Sequence, residues 1–350
     1  MKTCQRVLIV MATLLSASCG REGIVGDVAV RYVKPTEVVS VSVDTTLQCT
    51  FEDVLSCYRP QVVNDTILVL QEQACDGNPY FFKAYSTNNF RFLGSFVRIG
   101  RGPGEMMSPY LINDMTHPEY LTVKENGLGI VYAIDVEKSI ESGRIHVAES
   151  YELPPDIIDW IPLTSSRQFE MQLENRALIF NVKDRDGTVM KSLNLFKGVD
   201  AERYMTHLSS IFVNNGGSGK VAEVMLMIPQ INIIDTDTGH VQCIATDKDY
   251  RKWEKILASR FDSNIKEYYC GAASTAEYIF AVYKGVPLSK LNGKGQGSSL
   301  HVFDWDGSFL YDIRIAENID NITYDFRAKN LYAVAKPDNR IVRYDLSGLL

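Results

Sequence analysis

Loops that could hold a phosphate or a cation are the first chemistry this sequence offers, and each lacks part of what that chemistry needs. Residues 216–220 (GGSGK) have the glycines and the lysine of a phosphate cradle. Asn214, however, stands where the first glycine is required, and Val221 stands where a metal-binding hydroxyl is required. They read as a hairpin loop, as does the stretch 292–299 (NGKGQGSS). The acidic pairs Asp184/Asp186, Asp235/Asp237 and Asp304/Asp306 supply two carboxylates each, with no closing glutamate. A calcium ion needs six to eight oxygens, so these are turns in which Asp caps its own backbone. The histidines at 117, 146, 207, 240 and 301 form no close pair, and no CxxC occurs. Zinc-ligand and thioredoxin-like spacings are therefore missing. Ser, His and Asp are plentiful but scattered, and a catalytic triad is defined by geometry rather than spacing. The sequence thus names no catalytic residue, metal or cofactor.

The elements that must position any site are strands. Residues 38–47 begin with strict alternation of Val and polar residues, the pattern of a strand with one wet face. Short β-branched and aromatic runs follow in six groups, over residues 66–96, 110–153, 157–195, 210–245, 268–315 and 322–344. Four of them end in an Asp a few residues before a Gly, at Asp184, Asp235, Asp304 and Asp345. Dividing residues 36–350 by six gives about 52 per unit, near the ~40–50 of a four-stranded propeller blade. The last group has only three strands, and the strand at 38–47 belongs to no group. Pairing the two would complete the last blade and close the ring, which removes an open sheet edge. Only residues 249–260 read as a helix, with Trp253, Ile256 and Leu257 on one face. The expectation is an all-β, six-bladed β-propeller over residues 37–350, closed by its N-terminal strand.

The chain opens with Lys2 and Arg6, an apolar run at 7–15 and the small residues Ser16, Ala17 and Ser18, followed by Cys19. This is the form of an export signal, and its apolar run is about half the ~20 residues a spanning helix needs. Ending in Leu-Ser-Ala-Ser-Cys, it resembles the lipobox of bacterial lipoproteins, in which the cysteine becomes the acylated first residue. That implies a signal over 1–18, lipid on Cys19, a tether over 19–36 and a membrane as partner. Net charge is −7 with no long basic run, so nothing points to nucleic acid. The five cysteines that follow Cys19, namely Cys49, Cys57, Cys75, Cys243 and Cys270, fit no standard disulfide framework.

Between the first two groups lies RIGRGPGEMMSPYLIND, residues 98–114. Its Gly100, Arg101, Gly102, Pro103, Gly104 and Glu105 look like the blade junction of NHL-type propellers. They are closer still to the TolB-like six-bladed propeller lipoproteins of Gram-negative bacteria. The resemblance implies an outer-membrane lipoprotein of the cell envelope and says little about chemistry. The glycines and proline are explained by a sharp reversal alone.

Propellers bind ligands where their innermost strands end, and on these borders those strands carry Tyr110, Trp160, His207, Tyr269 and Tyr324. A mouth lined with Tyr and Trp would suit an extracellular glycan or a peptide. The expected function is a membrane-anchored binding or scaffold module, with another envelope protein or such a ligand as partner. The alternative is a propeller hydrolase or lyase acting on an extracytoplasmic carbohydrate or peptide.

Overall fold

The computed structural model describes residues 23–37, 39–43, 47–49, 57–73, 77–291, 293 and 296–350. Cys19 and Cys75 lie outside these residues, as does the side chain of Cys49. The strands form six separate sheets around one axis, and each is an antiparallel meander running outward from an innermost strand. The innermost strands are Cys57–Val63, Pro109–Leu111, Ile157–Thr164, Ser210–Asn214, Lys266–Ser274 and Asn318–Asp325. The middle strands are sealed between neighbouring blades, as Ile67–Glu72 shows by being buried along its whole length. That explains why alternation fades from the middle strands of the sequence: with both faces covered, a strand is apolar on both.

The ring closes at the N-terminal side, and the closing segment is in two pieces where the sequence suggested one strand. Leu47–Cys49 pairs antiparallel with Arg340–Asp345 and completes the sixth blade. Val39–Val43 instead adds in parallel to Phe309–Ile315, the outer strand of the fifth blade. One step further upstream, Val30–Tyr32 adds in parallel to Val241–Ala245 of the fourth. The chain therefore runs along the outer edges of blades four, five and six before it enters the first.

Two further differences from the sequence expectation have clear causes. The first blade has an innermost strand, Cys57–Val63, where only three strands were legible before the junction. Arg59, Pro60 and Gln61 interrupt its apolar pattern, and a register shift between Cys57 and Arg59 interrupts its pairing. The expected helix at 249–260 forms as a 3-10 turn, Lys248–Lys252, leading into Trp253–Ala258. It is joined by Val136–Ser142 and Ala201–Tyr204, whose N-caps Asp135 and Asp200 accept bonds from Lys138 N and Arg203 N. Both are too short to show a helical period, and only the cap residue marks them in sequence.

Residues 23–36, the described part of the stretch the sequence suggested as a tether over 19–36, are built into the propeller. Ile24 and Val25 are 0% and 1% exposed, in one core cluster with Leu195, Phe196, Val241 and Tyr250. The Asp-Gly hairpins are Asx turns. Asp184 Oδ1 accepts from Asp186 N and Thr188 N, Asp235 Oδ1 from Thr238 N, and Asp304 Oδ1 from Asp306 N and Ser308 N. Cys57, Cys243 and Cys270 are free thiols. No helix among the described residues is long and apolar enough to cross a membrane.

Candidate functional site

All six innermost strands contribute to a narrow central cavity of about 40 Å³. Its polar lining comes from Arg59, Gln61, Tyr110, Asn113, Asp159 and Asn321, and Trp160 and Phe212 supply ring surface. The Arg59 guanidinium lies over the Tyr110 ring, 4.1 Å from its centroid, and donates to Tyr110 Oη at 2.6 Å and to the Leu111 carbonyl at 3.2 Å. Asp159 accepts from the Trp160 amide at 2.8 Å. Burial pushes its carboxyl above the usual range, against the opposing pull of that bond and of Lys124 and Arg59. This volume admits little more than water, so the cavity is a polar axis for the ring rather than a vessel for an organic ligand.

Trp160 connects this axis to a larger space. Its indole Nε1 donates to Gln168 Oε1 at 3.1 Å, Gln168 Nε2 donates to Glu170 Oε1 at 2.7 Å, and Glu170 pairs with Lys183 at 2.5 Å. These side chains line a groove of about 650 Å³ between the second and third blades. Tyr151, on the outer strand Val147–Glu152, tilts against Trp160 with centroids 5.2 Å apart and forms an aromatic wall. Burial, reinforced by Asp114 and Glu149, pushes the Tyr151 hydroxyl well above the ordinary phenol range, so it remains a hydrogen-bond donor. Asp114 is held in place by Thr122 Oγ1 at 2.8 Å and by the amide and hydroxyl of Thr116 at 2.7 and 2.6 Å.

Three cations line the groove, and all are paired. Lys183 is held by Glu170, Arg185 lies 3.3 Å from Glu149, and Arg167 is bonded to Asp237. The groove therefore offers an aromatic surface, amides, hydroxyls and carboxylates without an uncommitted positive charge. Among the described residues no group of three or more His, Cys, Asp or Glu is placed to hold a metal ion.

Of the five residues singled out on the innermost strands, Tyr110 and Trp160 face the central cavity, and Trp160 also lines the groove. The other three are placed elsewhere. His207 precedes the fourth blade, edge-on to Tyr204 and Phe261, and burial lowers its pKa. Tyr269 is fully buried, its hydroxyl shared with Thr246 Oγ1 at 2.9 Å and His301 Nδ1 at 3.3 Å. Tyr324 stacks on Phe280 at 4.8 Å. His207 lies in the turn before the fourth blade's innermost strand, and register decides the two tyrosines: the pairing shifts at Tyr269 and again between Ile319 and Ile322, so parity counted along the strand does not hold. Arg59, Tyr151, Asp159, Gln168 and Glu170 were missed. The strand bearing Arg59 was not legible, and the others gain meaning only from their neighbours across strands.

The junction at residues 100–105 lies at the outer edge of the first blade, away from both spaces. Glu105–Met106 pairs in parallel with Arg98 and Ile99, Gly100 N donates to Met106 O at 3.0 Å, and Gly102 N donates to Glu105 Oε2 at 2.8 Å. A Cβ on Gly100 would stand 1.9 Å from Glu105 Oε2, so the glycine makes room for the folded-back carboxylate. Arg101, Pro103 and Gly104 are exposed.

Two carboxyls in the blades are strongly perturbed. Glu223 is fully buried in the fourth blade and accepts from Ser210 Oγ at 3.0 Å and Asn232 Nδ2 at 2.9 Å. Burial nevertheless pushes its pKa up to about 7. Glu267, at the start of the fifth blade's innermost strand, is pushed up to about 7 by burial and by Asp320.

No curated protein matches the sequence significantly. Solved structures that resemble it include a DUF4221-family member from Bacteroides vulgatus, at 12% identity with a TM-score of 0.48, covering 87% of this chain and 94% of that one. An exported-class protein of Bacteroides fragilis is 9% identical with a TM-score of 0.48, covering 88% and 98%. The WD40 repeats of RRP9 are likewise 9% identical with a TM-score of 0.48, covering 87% and 99%. A family model described as TolB-like 6-blade propeller-like matches residues 36–327. With six blades built as that match requires, the chain belongs to the TolB-like six-bladed propeller family.

Proposed function

We propose that this protein is an exported lipoprotein of the cell envelope, acylated at Cys19 and held at the outer membrane, whose propeller binds a glycan in the groove between its second and third blades. The observation that carries the ligand reading is the groove itself. At about 650 Å³ it is within the ~300–1,000 Å³ of small-ligand sites. Tyr151 offers a ring against which the C–H face of a sugar packs, while Gln168, Glu149 and Glu152 offer amide and carboxylate partners for hydroxyls. Because Arg167, Lys183 and Arg185 are each engaged by a carboxylate, a neutral ligand fits better than an anionic one. Trp160 stands between the groove and the central cavity, so a ligand there would be reported by its fluorescence.

The test is titration of the purified propeller with neutral and acidic oligosaccharides and with peptides, read by tryptophan fluorescence and calorimetry. A neutral glycan should bind, and Tyr151→Ala should weaken it about fivefold or more, since losing one aromatic contact costs about 1–3 kcal/mol. Binding of peptides alone, or glycan binding indifferent to Tyr151→Ala, would sink this assignment. The anchor is tested separately by palmitate labelling, which should disappear in Cys19→Ala.

A further inference from the structure

The chain crosses from the fourth blade to the fifth through Trp253–Ala258 and the loop after it, and beside this crossing lies another pocket, of about 360 Å³. Four cations line it, Lys252, Lys255, Arg260 and Lys266, together with the buried Met227 and Ile265. It is on the face where the innermost strands begin. Lys266 opens one such strand, and Met227 follows a strand whose Met225 pairs with Ser210, the first residue of another. The turn after Thr164, on the rim of the groove, is on the opposite face, so the two spaces are separate.

The four cations differ in how they are held. Asp249 Oδ1 is 2.5 Å from Lys252 Nζ, and Asp249 Oδ2 is 2.9 Å from Lys266 Nζ and accepts from Tyr268 Oη at 2.7 Å. One carboxylate thus fixes two ammonium groups. Lys255 and Arg260 have no carboxylate partner among the described residues. In the groove, by contrast, every lining cation is paired. A single exposed lysine is ordinary, but four cations on one pocket stand out in a chain of net charge −7. The loop bearing Arg260 is also pinned. Asp262 Oδ1 accepts from Asn264 N at 2.8 Å, Ile265 N donates to the Asp262 carbonyl at 3.1 Å, and Ser289 N donates to the Ser263 carbonyl at 2.9 Å. A loop held in this way needs little ordering when a ligand arrives.

Charge selects the ligand. Among the lining residues only Asp262 is acidic, and Asp249, outside the lining, holds Lys252 and Lys266. Setting these two carboxylates against the four cations leaves two positive charges. A carboxylate ligand would cancel one of them, whereas a phosphate monoester, carrying about −1.5 to −2 at neutral pH, cancels both. Arginine offers a planar fork to two phosphate oxygens, and lysine offers a point charge. We propose that this pocket binds a phosphate monoester on a small body such as glycerol, with Lys255 and Arg260 making the charged contacts and Asp249 presenting Lys252 and Lys266. The volume is at the lower end of the ~300–1,000 Å³ of small-ligand sites, so it admits one such unit rather than a chain. The site depends neither on a glycan in the groove nor on acylation of Cys19.

The experiment titrates the full chain with glycerol phosphate, glycerate and glycerol, read by calorimetry at low ionic strength. Glycerol phosphate should bind, glycerate at least tenfold more weakly, and glycerol not measurably. The double variant Lys255→Gln/Arg260→Gln should weaken glycerol phosphate at least tenfold and leave thermal unfolding unchanged, since both side chains are exposed. Removing the same charge at Arg144 and Arg327, exposed elsewhere on the molecule, should weaken it less than twofold. A parallel arm separates a soluble ester from a lipid headgroup of the same chemistry. The chain carrying Cys19→Ala is sedimented with phosphatidylcholine vesicles that contain or lack phosphatidic acid. Binding of glycerol phosphate that the double variant loses supports the site with a soluble ester as its source. Retention that requires phosphatidic acid and is lost in the double variant, without binding of glycerol phosphate, supports it with a headgroup as its source. Binding in neither arm, binding that survives the double variant, an equal loss from removing Arg144 and Arg327, or equal affinity for glycerate overturns the proposal.

Discussion

Replacing Glu223 by glutamine should make the protein more stable at alkaline pH and leave it little changed at pH 4.5. Glu223 is sealed inside the fourth blade, and its carboxyl is pushed up to about 7 from an ordinary 4.5 because burial penalises the charged form more than Ser210 and Asn232 stabilise it. Between those two values the unfolded chain has released this proton and the folded chain keeps it, so stability falls as pH rises through the window. The contribution is fully present below about pH 4.5 and is lost by about pH 7 and above. A displacement of that size corresponds to about 3 kcal/mol. Glutamine has the same shape and no charge to desolvate. Its carbonyl can accept from Asn232 Nδ2, and its amide can donate to Ser210 Oγ, a hydroxyl that also accepts. Guanidinium unfolding of the parent protein and Glu223→Gln, both in a Cys19→Ala background, would be run at half-unit steps from pH 4.5 to 8.5. The difference between the two cancels other titrating groups common to both, including Glu267 and His301. It should grow from near zero to about 3 kcal/mol in favour of the variant by pH 8. A difference that is flat with pH, or a variant less stable than wild type at pH 8, would refute the reasoning.

His301 should give the opposite slope on the acid side. Buried against Tyr283 and Phe309, its imidazole is depressed by burial to about 3, so it stays neutral in the folded state while the unfolded chain takes up a proton from about pH 6.5 downward. Its contribution is present above pH 6.5 and is lost as pH falls toward 3, and His301→Phe should flatten that acid limb in a thermal-melt series. At the junction, Gly100→Ala should destabilise by about 1 kcal/mol, because the Glu105 carboxylate must swing aside and give up the bond from Gly102 N. The same substitution in a Glu105→Ala background should cost markedly less, and a double-mutant cycle with no coupling would refute the contact.

The sequence and the tertiary structure divide the description of this protein along a physical line. Strand order, blade number and the Asx hairpins were legible because they are local, resting on a two-residue period, on Asp-to-Gly turns and on a repeat near 50 residues. The Gly100 to Glu105 junction was legible for the same reason, since Glu105 caps a loop only a few residues away. The blade-one strand bearing Arg59 was not, because Arg59, Pro60 and Gln61 face a polar axis formed by five other strands and break the apolar pattern.

The candidate site fell mostly on the illegible side. Tyr110 and Trp160 could be picked by position on an innermost strand, but Tyr269 and Tyr324, chosen by the same rule, turn into the blades at shifts of register. Tyr151, Gln168 and Glu170 become a wall only when the second and third blades stand side by side. The N-terminal segment shows the division most plainly. Composition gave residues 20–36 the look of a linker, with three glycines and a proline. The apolar residues within it, Ile24, Val25 and Val30, find partners more than 150 positions away in the chain, in Leu195 and Cys243. Local periodicity is written in neighbouring residues and can be read from them. Burial against a distant segment is set by the closing of the ring, and only the tertiary structure decides it.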